Sequence, residues 1–372
     1  MFIIICQDVI EKAIHQEGMN HQDAIEVLKK LLLSVKWRKH IVFAPDMSEE
    51  NIDNLGNILT NEEKVLLKHI HNHRTNSNLL MGTLSIIVKV TFEEETRKEN
   101  STIYVKPTDY KDFEFYEETH FIVENILDAK FYDIINKYFM RENPSYNKYF
   151  CINYYPVQGG GATIAEVIRG ELNLAQHFCF VIGDSDKICK NSEEGNTAQN
   201  IRSVIGNENP FNMDFYIMSK VREIENLIPF CILNLIPVDK AKKDFLGNHQ
   251  KSNNLSFYDM KIGIDYKKIY DSNIYDEYKR MFPVEFEWEI IDEIKNNAGT
   301  KEEFAERLEE FHFLNYNWGK TILKKVIDLP EKNYKLYDKI KKCDLTPNQK
   351  EEWDEIGKLV FSWCCCFANP PR

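Results

Sequence analysis

The stretch HFCFVIGDSDK, residues 177–187, runs five apolar residues, Phe178 to Ile182, into two acids separated by one serine. An apolar run of that length reads as a short strand covered on both faces, the habit of parallel sheets. Asp184 and Asp186 then follow two positions apart. On extended backbone such side chains share a face. Two carboxylates on one face repel each other, and a divalent cation relieves the repulsion; hard oxygen donors suit Mg²⁺ or Mn²⁺. The same spelling also fits an ordinary surface turn, where aspartate is common.

Outward from this stretch the pattern alternates. HFIVE (120–124) reads as a strand, DAKFYDIINKYFMR (128–141) as a helix and CINYYPVQ (151–158) as a strand. GGG (159–161) reads as a turn, TIAEVIRGEL (163–172) as a helix and DFYIMS (214–219) as a strand, with a helix starting near REIENLIP. Strands separated by helices imply a parallel sheet, with reactive groups beyond its carboxyl edge. Upstream, Phe2–Cys6, HIVFAPD (40–46) and LSIIVKVTF (84–92) read as strands of an N-terminal α/β unit over 1–95. The charged run EEETRKENS (93–101) reads as a loop or boundary, and 266–372 as mainly helical. The expected division is 1–95, 102–265 and 266–372.

The 372 residues hold 43% hydrophobic residues, enough for more than one core, and a net charge of −12 argues against non-specific coating of duplex DNA. A local acidic metal site beside basic patches stays compatible with a nucleic-acid enzyme. No apolar run reaches the roughly 20 residues of a membrane span. MFIIICQDVI lacks the basic start and cleavage site of a signal peptide, so a cytoplasmic setting is expected. Nine cysteines show no CxxC pair, and they are expected to act as small apolar residues in a reducing environment.

Other acids join the DxD pair. Glu124 ends a strand, and Asp128 opens the helix after it, where the helix dipole alone would favour an acid. Glu223 and Glu225, in KVREIENLIP, follow the strand 214–219 and suit either ligands or a solvated first helical turn. Lys261, in FYDMKIGID, is expected at a strand–loop junction, where it could neutralise a phosphate or a leaving oxygen, or equally be an ordinary surface lysine. Gly159, Gly160 and Gly161 precede a helix and could let backbone N–H groups approach an anion, though a tight turn is the simpler reading.

The order HFIVENILDAKFY, YYPVQGGGATIAEVI, HFCFVIGDSDK, REIENLIP resembles the Toprim domain. More narrowly it is similar to the Toprim modules of overcoming-lysogenization-defect (OLD) nucleases and of stand-alone anti-phage relatives. The resemblance covers about residues 115–265. It implies a Toprim-like parallel sheet flanked by helices and a metal-dependent nuclease acting on DNA or RNA. Glu124 matches the family's general base or ligand, Asp184 and Asp186 its DxD metal ligands, and Glu223 and Glu225 its later acidic cluster. Asp128 is a further ligand candidate, and Lys261 could match the basic residue near the module's end. Asn125 stands where the family commonly has glycine. The basic stretches DKAKKDF (239–245) and KTILKK (320–325) would meet the substrate.

Rival readings are an ATPase, a topoisomerase or primase, and a non-catalytic nucleic-acid sensor or interaction protein. NYNWGKT (315–321) ends like a phosphate-binding loop, but Leu314 and Asn315 leave no leading glycine. Any ATPase or sensor would therefore be a separate partner. No tyrosine stands out as a topoisomerase nucleophile. His69 and His73 have metal-ligand spacing without the glutamate of HExxH, and Asp8 and Asp46 each follow an apolar strand as a nuclease of the PIN type would want.

Overall fold

A computed structural model describes the chain except residues 16–19, 110–112, 239, 250–251, 284, 311–315, 330–339, 341–344 and 370–372. The chain packs as two compact units: Met1–Ile182 with Ile201–Tyr216 and Glu355–Arg372, and Gly183–Asn200 with Ile217–Asp354.

The first unit holds two sheets of mainly parallel strands with helices between them. One has the order β2-β1-β3-β5-β4, built from β1 (Phe2–Ile5), β2 (Ile41–Phe43), β3 (Ile87–Val90), β4 (Arg97–Glu99) and β5 (Thr102–Val105). β1 pairs in parallel with β2 and β3, and β3 with β5; β4 closes the edge antiparallel. The helix His21–Lys36 between β1 and β2 buries Ala24, Leu28, Leu31, Leu32 and Val35, an apolar stripe at helical spacing. The run 93–101 is thus not only a loop. Its centre is an edge strand, where charge is expected because it discourages further pairing. Arg97 pairs with Glu94 and Glu99, and Lys98 reaches Asp214 at 2.6 Å.

The second sheet has the order β10-β9-β6-β8, from β6 (His120–Val123), β8 (Tyr155–Gln158), β9 (Cys179–Gly183) and β10 (Met213–Ile217). β6 runs parallel to both β8 and β9, with Phe121 opposite Phe180 and Pro156. Phe121, Ile122, Val123, Phe180, Val181 and Ile182 are buried, as the uninterrupted apolar runs require. CINYYPVQ is two strands rather than one. Phe150–Ile152 forms β7 and pairs antiparallel with β11 (Cys365–Phe367), while 155–158 joins the larger sheet. The break falls at Asn153 and Tyr154. Asn153 N–H donates to Cys364 O at 2.8 Å, and the Tyr154 hydroxyl bonds Asp133 at 2.8 Å.

The second unit has short helices around an aromatic core. Phe245 stacks on Tyr316 with ring centroids 4.4 Å apart, and Phe282 and Tyr258 pack beside it. No helix follows DFYIMS directly. Residues Ile224–Leu227 form a single 3-10 turn and Phe230–Leu233 a short helix. Lys261 lies in a turn after the 3-10 segment Asn254–Phe257, not beside a strand. Among the described residues no helix is long and apolar enough to cross a membrane. Cys231 is disulfide-bonded, against the expectation that the cysteines act only as small apolar residues, while seven others among the described residues are free.

Candidate metal centre

Asp184 leaves β9 immediately after Gly183, where strand geometry ends. Ser185, fully buried, anchors the segment: its hydroxyl donates to Val221 O at 2.7 Å, and its N–H donates to Arg222 O at 3.0 Å. Asp186 N–H donates to the same carbonyl at 2.9 Å. These bonds bring 184–186 against 221–222, so the next residue, Glu223, arrives beside Asp184. The Asp184 carboxylate then accepts from Ile224 N–H at 3.1 Å.

A second set of bonds adds the remaining groups. Asn226 caps Glu223 N–H at 3.1 Å and donates to the carbonyls of Leu255 and Tyr258 at 2.7 Å each. That ties the 3-10 turn to the segment preceding Asp259. The Asp259 carboxylate accepts from the N–H groups of Lys261 and Ile262 at 3.0 and 2.9 Å, fixing the turn that carries Lys261. Gln349 and Trp353 brace the turn from the carboxyl-terminal helix by donating to Asn226 O and Leu227 O at 2.8 and 3.0 Å.

Asp184, Glu223 and Glu225 result as a group with one carboxylate oxygen each, all within 4.8 Å of one another. They are 8%, 2% and 5% exposed. Lys261 Nζ lies 2.8 Å from Glu223 Oε2 and 3.4 Å from Glu225 Oε2. Arg222 pairs with Asp259 at 2.8 Å. Burial, then the charge of Glu225, pushes the Glu223 carboxyl up to about 7 despite Lys261. Burial works against the Lys261 ammonium, but Glu225 and Glu223 outweigh it and hold Lys261 above the usual lysine range. Glu223 Oε1 is buried with no hydrogen-bond partner. The donor set, all hard oxygens with an unsatisfied buried one among them, could hold a metal ion.

The sequence-derived candidates divide between the two units. Asp184, Glu223, Glu225 and Lys261 come together in the second. Asp186, also there, stands outside the group of three. Its backbone turns left-handed, φ 54°, which ends the strand alternation that would have put it on the face of Asp184. Its side chain lies against Gly195, where a Cβ would fall 2.3 Å from Asp186 Cβ. Glu124 and Asp128 belong to the first unit. β6 and β9 are parallel neighbours, so both strands leave the sheet at one edge. Glu124 follows β6 there, and its carbonyl accepts from Gly160 N–H at 2.9 Å. The glycine triplet hangs from this strand end, with Gly160 and Gly161 at φ 72° and 50°. Asp128 closes a capping box: its carboxylate accepts from Asn125 N–H at 2.8 Å, and Asn125 accepts from Leu127 N–H at 3.0 Å.

Arg222, Asp259 and Ser185 were not legible as site members, although an arginine directly before Glu223 and an acid two residues before Lys261 were the available signals. A second group went unread. His120 opens β6 and Cys179 opens β9, directly opposite each other in register. Glu171 accepts from His120 at 3.0 Å and from the Cys179 thiol at 3.7 Å, and the His177 ring stacks on His120 at 4.0 Å. His120, Glu171 and Cys179 also bring ligand atoms within 4.8 Å. His-Phe at the start of β6 and again just before β9 was its trace in the sequence.

Asp8 and the pair His69 and His73 are engaged within the amino-terminal part of the first unit. Asp8 accepts from Thr91 Oγ1 at 3.0 Å and Phe92 N–H at 2.6 Å, a structural role. His69 and His73 stack with centroids 4.2 Å apart, and His73 Nδ1 lies 3.0 Å from His69 O. Of the basic stretches, Asp239 lies outside the described residues, as does Asn315 of the loop-like motif. Compared with known protein families, curated proteins and solved structures, the chain matches none.

Proposed function

We propose that the chain is a Toprim-like, divalent-metal-dependent nuclease, hydrolysing phosphodiester bonds of DNA or RNA. Asp184, Glu223 and Glu225 would hold Mg²⁺ or Mn²⁺. The single observation carrying this reading is an excess of negative charge under cover. Among the described residues, the contacts of Asp184, Glu223, Glu225 and Asp259 set four carboxylates beside two cations, Lys261 and Arg222. A buried charge excess is costly. Burial and the charge of Glu225 raise the Glu223 carboxyl, so it holds a proton more tightly than an exposed carboxyl, and a divalent cation can compete for that place.

When bound, such cations polarise phosphoryl oxygens and lower the pKa of coordinated water. The chain's own groups do the rest. Lys261 offsets charge on the phosphate, and Arg222 with Asp259 fixes the turn that aims it. For Glu124, which follows β6 in the first unit, the resemblance implies the part of general base or ligand. Exposed lysines, Lys240 and Lys243 among them, meet the nucleic-acid backbone. The acidic net charge favours delivery of substrate by a separate ATPase or sensor, as in anti-phage defence.

One observation favours a second reading, a non-catalytic nucleic-acid-sensing or interaction protein. Lys261 already sits 2.8 Å from Glu223, so the cluster could serve as a buried ion-pair network. Calorimetric titration with Mn²⁺ separates the readings when paired with incubation of plasmid, single-stranded DNA and tRNA in Mg²⁺, Mn²⁺ or EDTA. Saturable binding with metal-dependent cleavage, both lost in Asp184→Asn, is expected. Binding without cleavage supports the second reading, and absence of binding overturns the metal centre.

A further inference from the structure

A separate feature of the first unit concerns sulfur. Cys151 on β7 and Cys366 on β11 face each other in the antiparallel register. Their Sγ atoms are 3.2 Å apart, and both thiols are free. Arg38 completes the arrangement. Its Nη2 donates to Cys151 Sγ at 3.1 Å and its Nε to Phe367 O at 3.2 Å. Asn153 Nδ2 in turn donates to Arg38 O at 3.1 Å. Arg38 follows the helix His21–Lys36 with φ 57°, a left-handed position that glycine usually fills. The chain accepts that backbone strain at a position whose guanidinium is fixed on a cysteine. Cys151 is partly exposed and Cys366 fully buried.

We propose that Cys151 is a peroxide-reactive thiolate and Cys366 its resolving partner. A reactive thiolate needs a fixed cation, access for the oxidant and a second thiol within reach. All three are present here. The donated hydrogen bond from Cys366, together with Arg38, outweighs burial and lowers the Cys151 thiol to about 6.

In the first step Cys151 S⁻ attacks the peroxide, an S–O bond forms as O–O breaks, and the departing oxygen takes a proton to leave as water or alcohol. Cys151 is then a sulfenic acid, oxidised by two electrons. Cys366 sulfur attacks it, S–S forms, S–O breaks, and the hydroxide leaves as water with the Cys366 proton. The product ties the chain at 151 to 366.

The test uses the full chain and one equivalent of hydrogen peroxide, read by non-reducing peptide mass spectrometry. A Cys151–Cys366 linked peptide is expected. In Cys366→Ser the reaction stops one step earlier, and dimedone labels Cys151. Arg38→Met slows iodoacetamide labelling of Cys151 at pH 7 about tenfold, because less of the thiol is ionised. Arg38→Lys, which keeps the charge, recovers part of that rate and serves if Arg38→Met does not fold. Oxidation falling first on Cys6, or no 151–366 linkage in a folded chain, overturns the proposal.

Discussion

His120, Glu171 and Cys179 in the first unit, and Asp184, Glu223 and Glu225 in the second, each bring three potential ligand atoms within 4.8 Å of one another. They do so by opposite means. In the first group each contact is a hydrogen bond to one acceptor, Glu171. Burial works against its charge, yet the bond and charge of His120 hold its carboxyl below the usual range. In the second group the carboxylates crowd one another, and Glu223 is pushed up to about 7. Closeness of ligand-type atoms is therefore not itself a sign of a cation. What matters is the charge left over after internal pairing.

The largest effect expected from breaking this contrast is at Asp184. Asp184→Asn removes a charge and should weaken Mn²⁺ binding at least about a hundredfold, as loss of a ligand group does. Glu171→Gln, its counterpart, should leave Mn²⁺ binding within a factor of about two. Calorimetric titration of both variants sharpens or erases the distinction.

Next in size is a packing effect. Gly195→Ala places a methyl 2.3 Å from Asp186 Cβ and 2.8 Å from its Oδ2. Overpacking of this kind costs about 1–3 kcal/mol. Urea unfolding should show a lower midpoint with an unchanged slope, and an unchanged midpoint would show that the 184–186 segment gives way.

The pH dependence should differ in sign between the groups. The raised carboxyl of Glu223 binds its proton more tightly folded than unfolded, between its ordinary 4.5 and about 7. Its contribution to stability is therefore full below about pH 4.5 and is lost as pH rises to about 7. Glu171, held low, contributes above the ordinary carboxylate pKa and loses that contribution as pH falls through its folded value. Stability measured against pH in Glu223→Gln should lose the decline across the higher window. Because the proton and the cation compete, Mn²⁺ affinity of the wild type should drop below pH 7.

The smallest effect is at Asp128. Asp128→Ala removes one half of a capping box and should cost about 0.5–1 kcal/mol. Metal binding should stay unchanged, since the carboxylate is engaged with Asn125 N–H. Thermal unfolding and titration read the two outcomes separately.

What could be read from the residues follows the range of the interactions that decide them. HFIV and CFVIG announce themselves because strands covered on both faces have no polar side. The cap at Asn125 and Asp128 is local and was visible as an acid in a first turn. The division of CINYYPVQ was not, because its first half pairs with Cys365–Phe367, more than two hundred residues away. The shared face expected of Asp184 and Asp186 failed for a similar reason. A carbonyl from Arg222 accepts both following N–H groups and turns the chain out of extended geometry. Glu223 and Glu225 were recognised as site candidates, but their 3-10 turn depends on Asn226 reaching Leu255 and Tyr258. Arg222 and Asp259 went unread because only that folding path makes them neighbours.

The last eighteen residues, Glu355–Arg372, belong to the first unit, and they follow the whole of the second along the chain. Trp363 stacks on Phe180, and β11 supplies the partner of β7. During synthesis the ribosome must therefore release the final helix before the amino-terminal body can close. Until then Phe180 lacks its indole cover and β7 presents an open edge, a template for mispairing. Contacts across so much sequence slow folding, so the nascent protein should engage chaperones until Trp363 and β11 have emerged.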